Sequence, residues 1–349
     1  MGHPLLEKLI RREDLTREEA AALLEELLAA TTSEAFIAAA LTALAMKGET
    51  VEELVGFAET MRAHAQRIHC ARSDAVDTAG TGGGRHKPFN VSTAAAVVIA
   101  AAGAPVAKHG NRAASSRTGS ADVLAALGVR IDPPLEVVER CLREIGLCFM
   151  FAPRFHRATA RVAQVRRQLG VRTIFNLLGP LTNPAGVRRQ LIGVSDPQSM
   201  EKLARAAERL GAEHVWIVHG SDGMDEITLS GPTHVVEVRE GEIRRFLLDP
   251  QEEGLARHDL NSLRALSPEE SALIVSEVLT GRRQDAARDL VLLNAAAGLQ
   301  VSGHARTLRE GIAMAAEAIA TGAAWEKLHA LITLTNEPSS AEESERASS

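Results

Sequence analysis

Apolar positions recur with a helical period from the start of the chain. Leu5, Leu6, Leu9 and Ile10 fall on one helical face. Thr16 with Glu19, and Thr50 with Glu53, form capping-box patterns. They predict helix starts before an Ala/Leu-rich run and before Leu54–Ile68. Phe36–Met46 reads as a further helix. Helices this short and Ala-rich need partners, either one another or a second copy of the chain.

At Asp74 the pattern changes. Short apolar runs alternate with helical ones: Ala75–Ala79, Ser92–Ala102, Pro105–Ala107, Ala121–Leu127, Leu147–Phe151, Arg189–Val194, a helix near Ser199–Leu210, and His214–His219. Such alternation predicts an α/β fold with a central, mostly parallel sheet. Thr233–Leu248 reads as a hairpin with Gly241 in its turn, and Pro268–Leu334 as helical again. Within Ala160–Leu191, ARVAQVRRQLG predicts a helix carrying Arg161, Arg166 and Arg167. The following TIFNLLGPLTNPAG, with two prolines and two glycines, predicts an irregular connection between domains. The polar tail Asn336–Ser349 is expected to be disordered.

Length and composition narrow the class. At 349 residues the chain suits about two domains, and 45% hydrophobic against 24% charged residues supplies ample core. A net charge of -6, only 3% aromatics and no Tyr argue against nucleic acid as a partner. The three cysteines, Cys70, Cys141 and Cys148, fit neither a disulfide framework nor a CxxC metal site. The longest apolar run, Ala94–Ala102, is far short of the ~18 residues of a membrane span. The N-terminal MGHPLLEKLIRRED does not read as a signal peptide, so a soluble, cytoplasmic protein without membrane partners is expected.

The candidate chemistry lies in loops after strands. Gly80, Gly82, Gly83 and Gly84 crowd the turn between the first predicted strand and the next helix, more than a tight turn needs. Backbone N–H groups there, beside a helix N-terminus, can cradle a phosphate. Neither the dinucleotide GxGxxG nor the GxxxxGK[ST] spacing fits. Asn90, Ser92 and Thr93 open the helix, with Ser92 the natural N-cap. A second loop, from Lys108 to Ser120, interleaves Lys108, Arg112 and Arg117 with Ser115, Ser116 and Ser120, as a polyanion cradle requires. After His214–His219 come Asp225 and Glu226, a pair suited to Mg²⁺ shared with substrate oxygens. No HExxH or GxSxG is present.

The blocks GTGGG…FNVSTAAA, KHGNRAASSRTGSADVLAALG, FNLLGPLTNPAG and HGSDGMDEIT resemble those of the anthranilate phosphoribosyltransferase family, in order and over nearly the whole chain. The resemblance implies a nucleoside-phosphorylase-like fold. A small helical domain (1–70 plus about 165–184) would join an α/β domain (74–164 plus 185–335), with homodimers formed through the helical part. It implies transfer of the phosphoribosyl group of 5-phosphoribosyl-1-pyrophosphate (PRPP) to the amine of anthranilate, in tryptophan biosynthesis. PRPP would be held by Gly80, Gly83, Gly84, Asn90, Ser92, Thr93, Lys108, Asn111, Arg112, Ser115, Ser116 and Ser120. Mg²⁺ would be held by Ser92, Asp225 and Glu226. Gly80, His109, Asn111, Arg166 and Pro180 would line the anthranilate path, with Arg166 facing the carboxylate. No protein nucleophile is required, and His109 is the one candidate base. Two departures stand out: Gly84 replaces an acid in the family's GTGGDG, followed by basic Arg85-His86-Lys87, and Pro88 replaces a common Thr. Alternatives are a pyrimidine nucleoside phosphorylase-like enzyme or a non-catalytic PRPP- or nucleic-acid-binding relative.

Overall fold

The computed structural model describes residues 3–84, 88–113 and 118–338. Helices Pro4–Ile10, Arg17–Leu28, Glu34–Lys47 and Val51–His64 come first. Both predicted capping boxes form: Thr16 Oγ1 accepts from Glu19 N at 3.2 Å, and Thr50 Oγ1 from Glu53 N at 3.2 Å. Glu53 is fully buried yet satisfied, accepting from Leu15 N (2.9 Å), Thr50 N (2.9 Å) and Lys47 Nζ (3.0 Å). Gly56 lets two of these helices touch, because a Cβ there would lie 2.3 Å from the Arg17 carbonyl.

Seven strands form one sheet: β1 (Val76–Gly80), β2 (Val106–Gly110), β3 (Leu147–Phe151), β4 (Arg189–Gly193), β5 (His214–Gly220), β6 (Thr233–Arg239) and β7 (Glu242–Leu248). Their spatial order is β3-β2-β1-β4-β5-β6-β7; the first five are parallel, and β6 and β7 add an antiparallel hairpin. Glu240 (φ 51°) and Gly241 (φ 82°) give that hairpin two consecutive positive φ values, as a tight primed turn requires. Helix Val91–Ala101, apolar on nearly every side, is buried between the sheet and helix Ala286–Ser302.

The sheet divides two cores. One face joins helices 91–101, 286–302 and the C-terminal helices. The other face, through Ile192, Val215, Ile217, Val236 and Val238, shares a core with helix Met200–Arg209, the N-terminal helices and Val162–Leu181. The Ala-rich N-terminal helices therefore find partners within the chain. The chain crosses between the helical part and the sheet at 65–75, 152–160 and 182–188. These crossings are tied together: Gln66 N donates to Phe155 O (2.8 Å) and Ile68 N to Pro184 O (3.3 Å).

Several expectations need correction. Lys108, His109 and Gly110 belong to β2, not to the loop after it. Asn90, not Ser92, is the N-cap of helix 91–101. The 173–186 segment is not wholly irregular: Phe175–Leu181 is a helix with Pro180 inside. Pro180 costs this short helix one bond, the one its missing N–H would give the Asn176 carbonyl. Helix Leu135–Ile145 was not foreseen. Asn336, expected in the tail, closes helix Ala323–Asn336 and donates to Gly128 O at 2.9 Å. Residues 339–349 lie outside the described residues.

Candidate functional site

Strands β1 and β4 are neighbours, but their onward connections run to opposite sides of the sheet. The crevice at their carboxyl ends is therefore the sheet's topological switch point, where open α/β sheets take ligands. Gly80 and Gly193 pair in register there. A Cβ on Gly193 would lie 1.8 Å from the carbonyl oxygen of Asp225, so glycine alone lets the 220–230 loop fold over β4. That loop is internally braced. Asp222 Oδ2 accepts from Thr228 Oγ1 (2.7 Å) and Ser230 Oγ (2.5 Å), and buried Asn294 exchanges hydrogen bonds with the Ile227 backbone.

The brace presents Asp225, 7% exposed, to the glycine loop. Asp225 Oδ1 is buried without a hydrogen-bond partner, and a Cβ on Gly84 would lie 2.4 Å from it. A buried orphan carboxylate oxygen costs on the order of 1–3 kcal/mol or more, a cost that a cation would remove. Among the described residues no three His, Cys, Asp or Glu side chains gather to hold a metal. An ion at Asp225 would thus draw further ligands from substrate and water, which is the habit of Mg²⁺. Residues Asp225, Glu226 and Ser92 fit that role in chemistry.

The other donor-side residues sort into direct and supporting positions. Ser92 is half-buried at the second residue of helix 91–101, and Thr93 is buried with its Oγ1 unpaired. Asn90 does not offer its side-chain oxygen outward: Oδ1 accepts from Thr118 Oγ1 (2.7 Å) and Ser271 Oγ (3.0 Å). Lys108 is buried, with Nζ donating to Thr78 O and to Thr78 Oγ1 (3.1 Å) beneath the same helix start. Arg112 pairs with Asp122 at 2.9 Å. Asp122 also accepts from Ala113 N (2.9 Å) and Gly119 N (3.0 Å), clamping both ends of the loop. Asn111 O accepts from Ser120 Oγ at 3.4 Å. Ser115, Ser116, Arg117 and Arg85–Lys87 lie outside the described residues. Pro88 is buried, its carbonyl accepting from Ala265 N. Arg172, which the sequence did not single out, donates to Gly82 O (3.1 Å) and Ser195 Oγ (2.6 Å) over the glycine loop.

Residue alternation turns His109 to the opposite face from Lys108, toward the helical part. Here Asp77, fully buried, accepts from His109 N (3.1 Å) and Asn183 Nδ2 (2.8 Å); burial raises its carboxyl pKa despite Lys108. His109 Nδ1 lies 3.3 Å from Gly179 O, and its ring is 5.2 Å from His156. Burial, reinforced by His156, pushes the His109 pKa down to about 3; burial pushes His156 to about 4. Both rings are neutral at pH 7. If His109 Nδ1–H donates to Gly179 O, the buried and unpaired Nε2 carries a lone pair. Gln190 Nε2 donates to Pro180 O at 2.7 Å. Beside them Arg166 donates to Asn176 Oδ1 (3.3 Å) and lies 5.2 Å over the Phe175 ring; its Nε is unpaired and burial lowers its pKa.

His156, Asp77, Asn183, Gln190 and Arg172 were missed as site residues. Asp77 and Asn183 sit inside or beside the quoted motifs, so position alone could have flagged them. His156 and Arg172 carry no local signal.

Comparison with known proteins identifies the family. The glycosyl transferase family, a/b domain, matches residues 72–325, and the glycosyl transferase family, helical bundle domain, matches residues 3–65. A relative from Anaeromyxobacter sp. (strain Fw109-5), an anthranilate phosphoribosyltransferase, is 49% identical over 330 residues, 95% of this chain and 97% of that one. The crystal structure of the Thermus thermophilus anthranilate phosphoribosyltransferase superimposes with a TM-score of 0.90 at 43% identity, covering 96% of this chain and 100% of that one. The Saccharomyces cerevisiae enzyme in complex with PRPP and Mg superimposes with a TM-score of 0.87 at 29% identity, covering 95% and 96%. The same yeast enzyme with 4-fluoroanthranilate gives 0.85 at 28%, with the same coverage.

Proposed function

The chain belongs to the anthranilate phosphoribosyltransferase family, and from that premise we propose that it transfers the phosphoribosyl group of PRPP to the amino group of anthranilate, releasing pyrophosphate. Two incompletely satisfied groups support the reading. Asp225 Oδ1 stands unpaired against the glycine loop, and on the acceptor side Arg166 has no carboxylate partner among the described residues.

In this reaction the bond from ribose C1 to the pyrophosphate oxygen breaks, and a bond from the amine nitrogen to C1 forms. The amine proton leaves to solvent. The glycine loop and the N-terminus of helix 91–101 offer N–H donors and a favourable dipole to the departing anion. Lys108, buried beneath the same helix start, adds fixed positive charge nearby. Asp225, Glu226 and Ser92 would hold Mg²⁺, which, when bound, neutralises charge on the pyrophosphate. Arg166 would take the acceptor carboxylate, the planar guanidinium matching its two oxygens. His109, with a pKa of about 3, is no reservoir for the amine proton at pH 7. Its buried Nε2 is left with an unpaired lone pair. Alignment and charge stabilisation then supply the rate.

By the same reading the protein would act in tryptophan biosynthesis, in the cytoplasm. A homodimer through the helical part is supported by a 420 Å³ apolar hollow between helices 4–10 and 34–47, where Ile10 (66%) and Met46 (69%) stand exposed. The test is loss of anthranilate fluorescence with PRPP and Mg²⁺, beside phosphorolysis of pyrimidine nucleosides. Turnover of anthranilate supports the proposal. Phosphorolysis alone, or neither activity, overturns it.

A further inference from the structure

We infer that Arg172, acting through the Gly82 carbonyl and Ser195, is a positioning residue that sets the glycine loop for pyrophosphate and ties it to the acceptor-binding segment. The inference rests on the transferase reading above and goes beyond its residue assignments.

Arg172 lies in the turn between helices Ala160–Leu169 and Phe175–Leu181, on the helical side of the crevice. Its guanidinium crosses to the sheet side. Nη1 donates to Gly82 O at 3.1 Å and to Ser195 Oγ at 2.6 Å, and Ser195 Oγ itself donates to Gly82 O at 3.0 Å. The Gly82 carbonyl is therefore held twice. In a trans peptide the C=O and the following N–H point in opposite directions. Fixing Gly82 O toward Arg172 fixes the N–H of Gly83 to point the other way. Gly82 and Gly83 take φ of +66° and +82°, and a Cβ on Gly83 would lie 2.7 Å from Arg172 Nη1. Arg172 packs directly on backbone that only glycine leaves open.

Arg172 also lacks an acid: among the described residues no carboxylate forms an ion pair with it. Its charge is thus uncompensated beside a loop suited to a polyanion. On the other side, Thr173 N donates to Asn176 Oδ1 at 3.0 Å, and Arg166 Nη2 donates to the same oxygen at 3.3 Å. One short turn therefore joins the group that would take the acceptor carboxylate to the group that orients the donor loop. An exposed contact of this kind is worth little in water. Its effect appears when a ligand covers the loop and the orientation of Gly83 N–H matters.

The experiment uses the full chain and inorganic pyrophosphate with Mg²⁺ as the probe. Calorimetry on wild type, Arg172→Gln, Ser195→Ala and the double variant is paired with steady-state kinetics. Arg172→Gln should weaken pyrophosphate binding roughly tenfold or more, the scale of a hydrogen bond from a charged donor. KM for PRPP should rise in parallel, while KM for anthranilate and kcat stay within about threefold. Ser195→Ala should act in the same direction but less. The double variant should fall short of the sum, because both groups hold one carbonyl. Arg172→Lys, which keeps the charge without the fork, should recover only part of the binding. Pyrophosphate affinity within twofold of wild type in Arg172→Gln would overturn the inference. So would a uniform loss of kcat, both KM values and melting temperature, which marks a structural role. A wild type that binds pyrophosphate but never consumes anthranilate overturns the transferase reading instead, and the calorimetry still decides the role of Arg172.

Discussion

Replacing Arg166 by Gln tests the acceptor side most directly. The guanidinium is partly buried, meets one neutral oxygen at 3.3 Å and stacks over Phe175, and burial already disfavours its charge. An incoming carboxylate would therefore find a strong, incompletely satisfied donor. Truncating one partner of such a pair costs about 2–5 kcal/mol. With Arg166 only partly buried we take the lower part of that range, about 2–3 kcal/mol. At 1.4 kcal/mol per decade, KM for anthranilate should rise roughly 30- to 150-fold. KM for PRPP should change little, because Arg166 stands on the acceptor side, bonded to Asn176 and stacked on Phe175. The fold should survive: the lost cation–π contact is worth only about 0.5–1 kcal/mol, and Asn176 Oδ1 keeps its bond from Thr173 N. The assay is anthranilate fluorescence at saturating PRPP, repeated with aniline. The wild type should reject aniline, and the variant should discriminate far less. KM for anthranilate within threefold of wild type, or an equal rise in both KM values, would refute carboxylate capture by Arg166.

Three further outcomes are expected. Asp225→Asn with Glu226→Gln should lower kcat/KM by about 10²–10³, the scale of one lost electrostatic stabiliser, with circular dichroism unchanged; near-normal activity at limiting Mg²⁺ would contradict the metal assignment. Gly84→Asp puts a second carboxylate where an added Cβ would lie 2.4 Å from Asp225 Oδ1, so the Mg²⁺ optimum should move several-fold higher and inhibition at high Mg²⁺ should appear; an unchanged Mg²⁺ profile would make Gly84 a neutral turn residue. Stability should fall as pH drops from about 6.5 toward 4, because His109 and His156, held at about 3 and 4, refuse protons that the unfolded chain accepts. By pH 5 this amounts to about 2 kcal/mol per histidine, offset in part by Asp77, whose raised pKa favours the folded state as pH falls through it. The gap between urea midpoints at pH 7.5 and 5 should narrow in His156→Gln, with the His109 share remaining, and an identical pH slope in that variant would reject the argument.

Periodicity located most of the fold because each strand and helix carries its own burial pattern. Leu147–Phe151 matches β3 to the residue, and both capping boxes form as read. Lys108 and His109 read as loop because polar residues seldom occupy a central strand. Here each is buried for a different reason, Lys108 on the Thr78 oxygens and His109 against Gly179 and His156. The glycine loop and the acidic pair were visible as local runs. Tertiary contacts were not: nothing near Arg172 in the chain announces Gly82, 90 residues away, nor does His156 announce His109. Asn90 looked like a ligand-facing residue, but its carboxamide oxygen is spent on Thr118 and Ser271, the latter 181 residues along.

The three crossings between helical part and sheet have a mechanical consequence. A single tether would let the two parts drift and tumble against each other. Here three connectors run side by side and are stitched by Gln66 to Phe155 and Ile68 to Pro184, with Arg62 reaching Leu181 O at 2.7 Å. Such a bundle, backed by the core that the helical part shares with one face of the sheet, resists sliding and shear. The segment that carries Arg166 and Arg172 is thereby held in register with the sheet edge that carries Asp225.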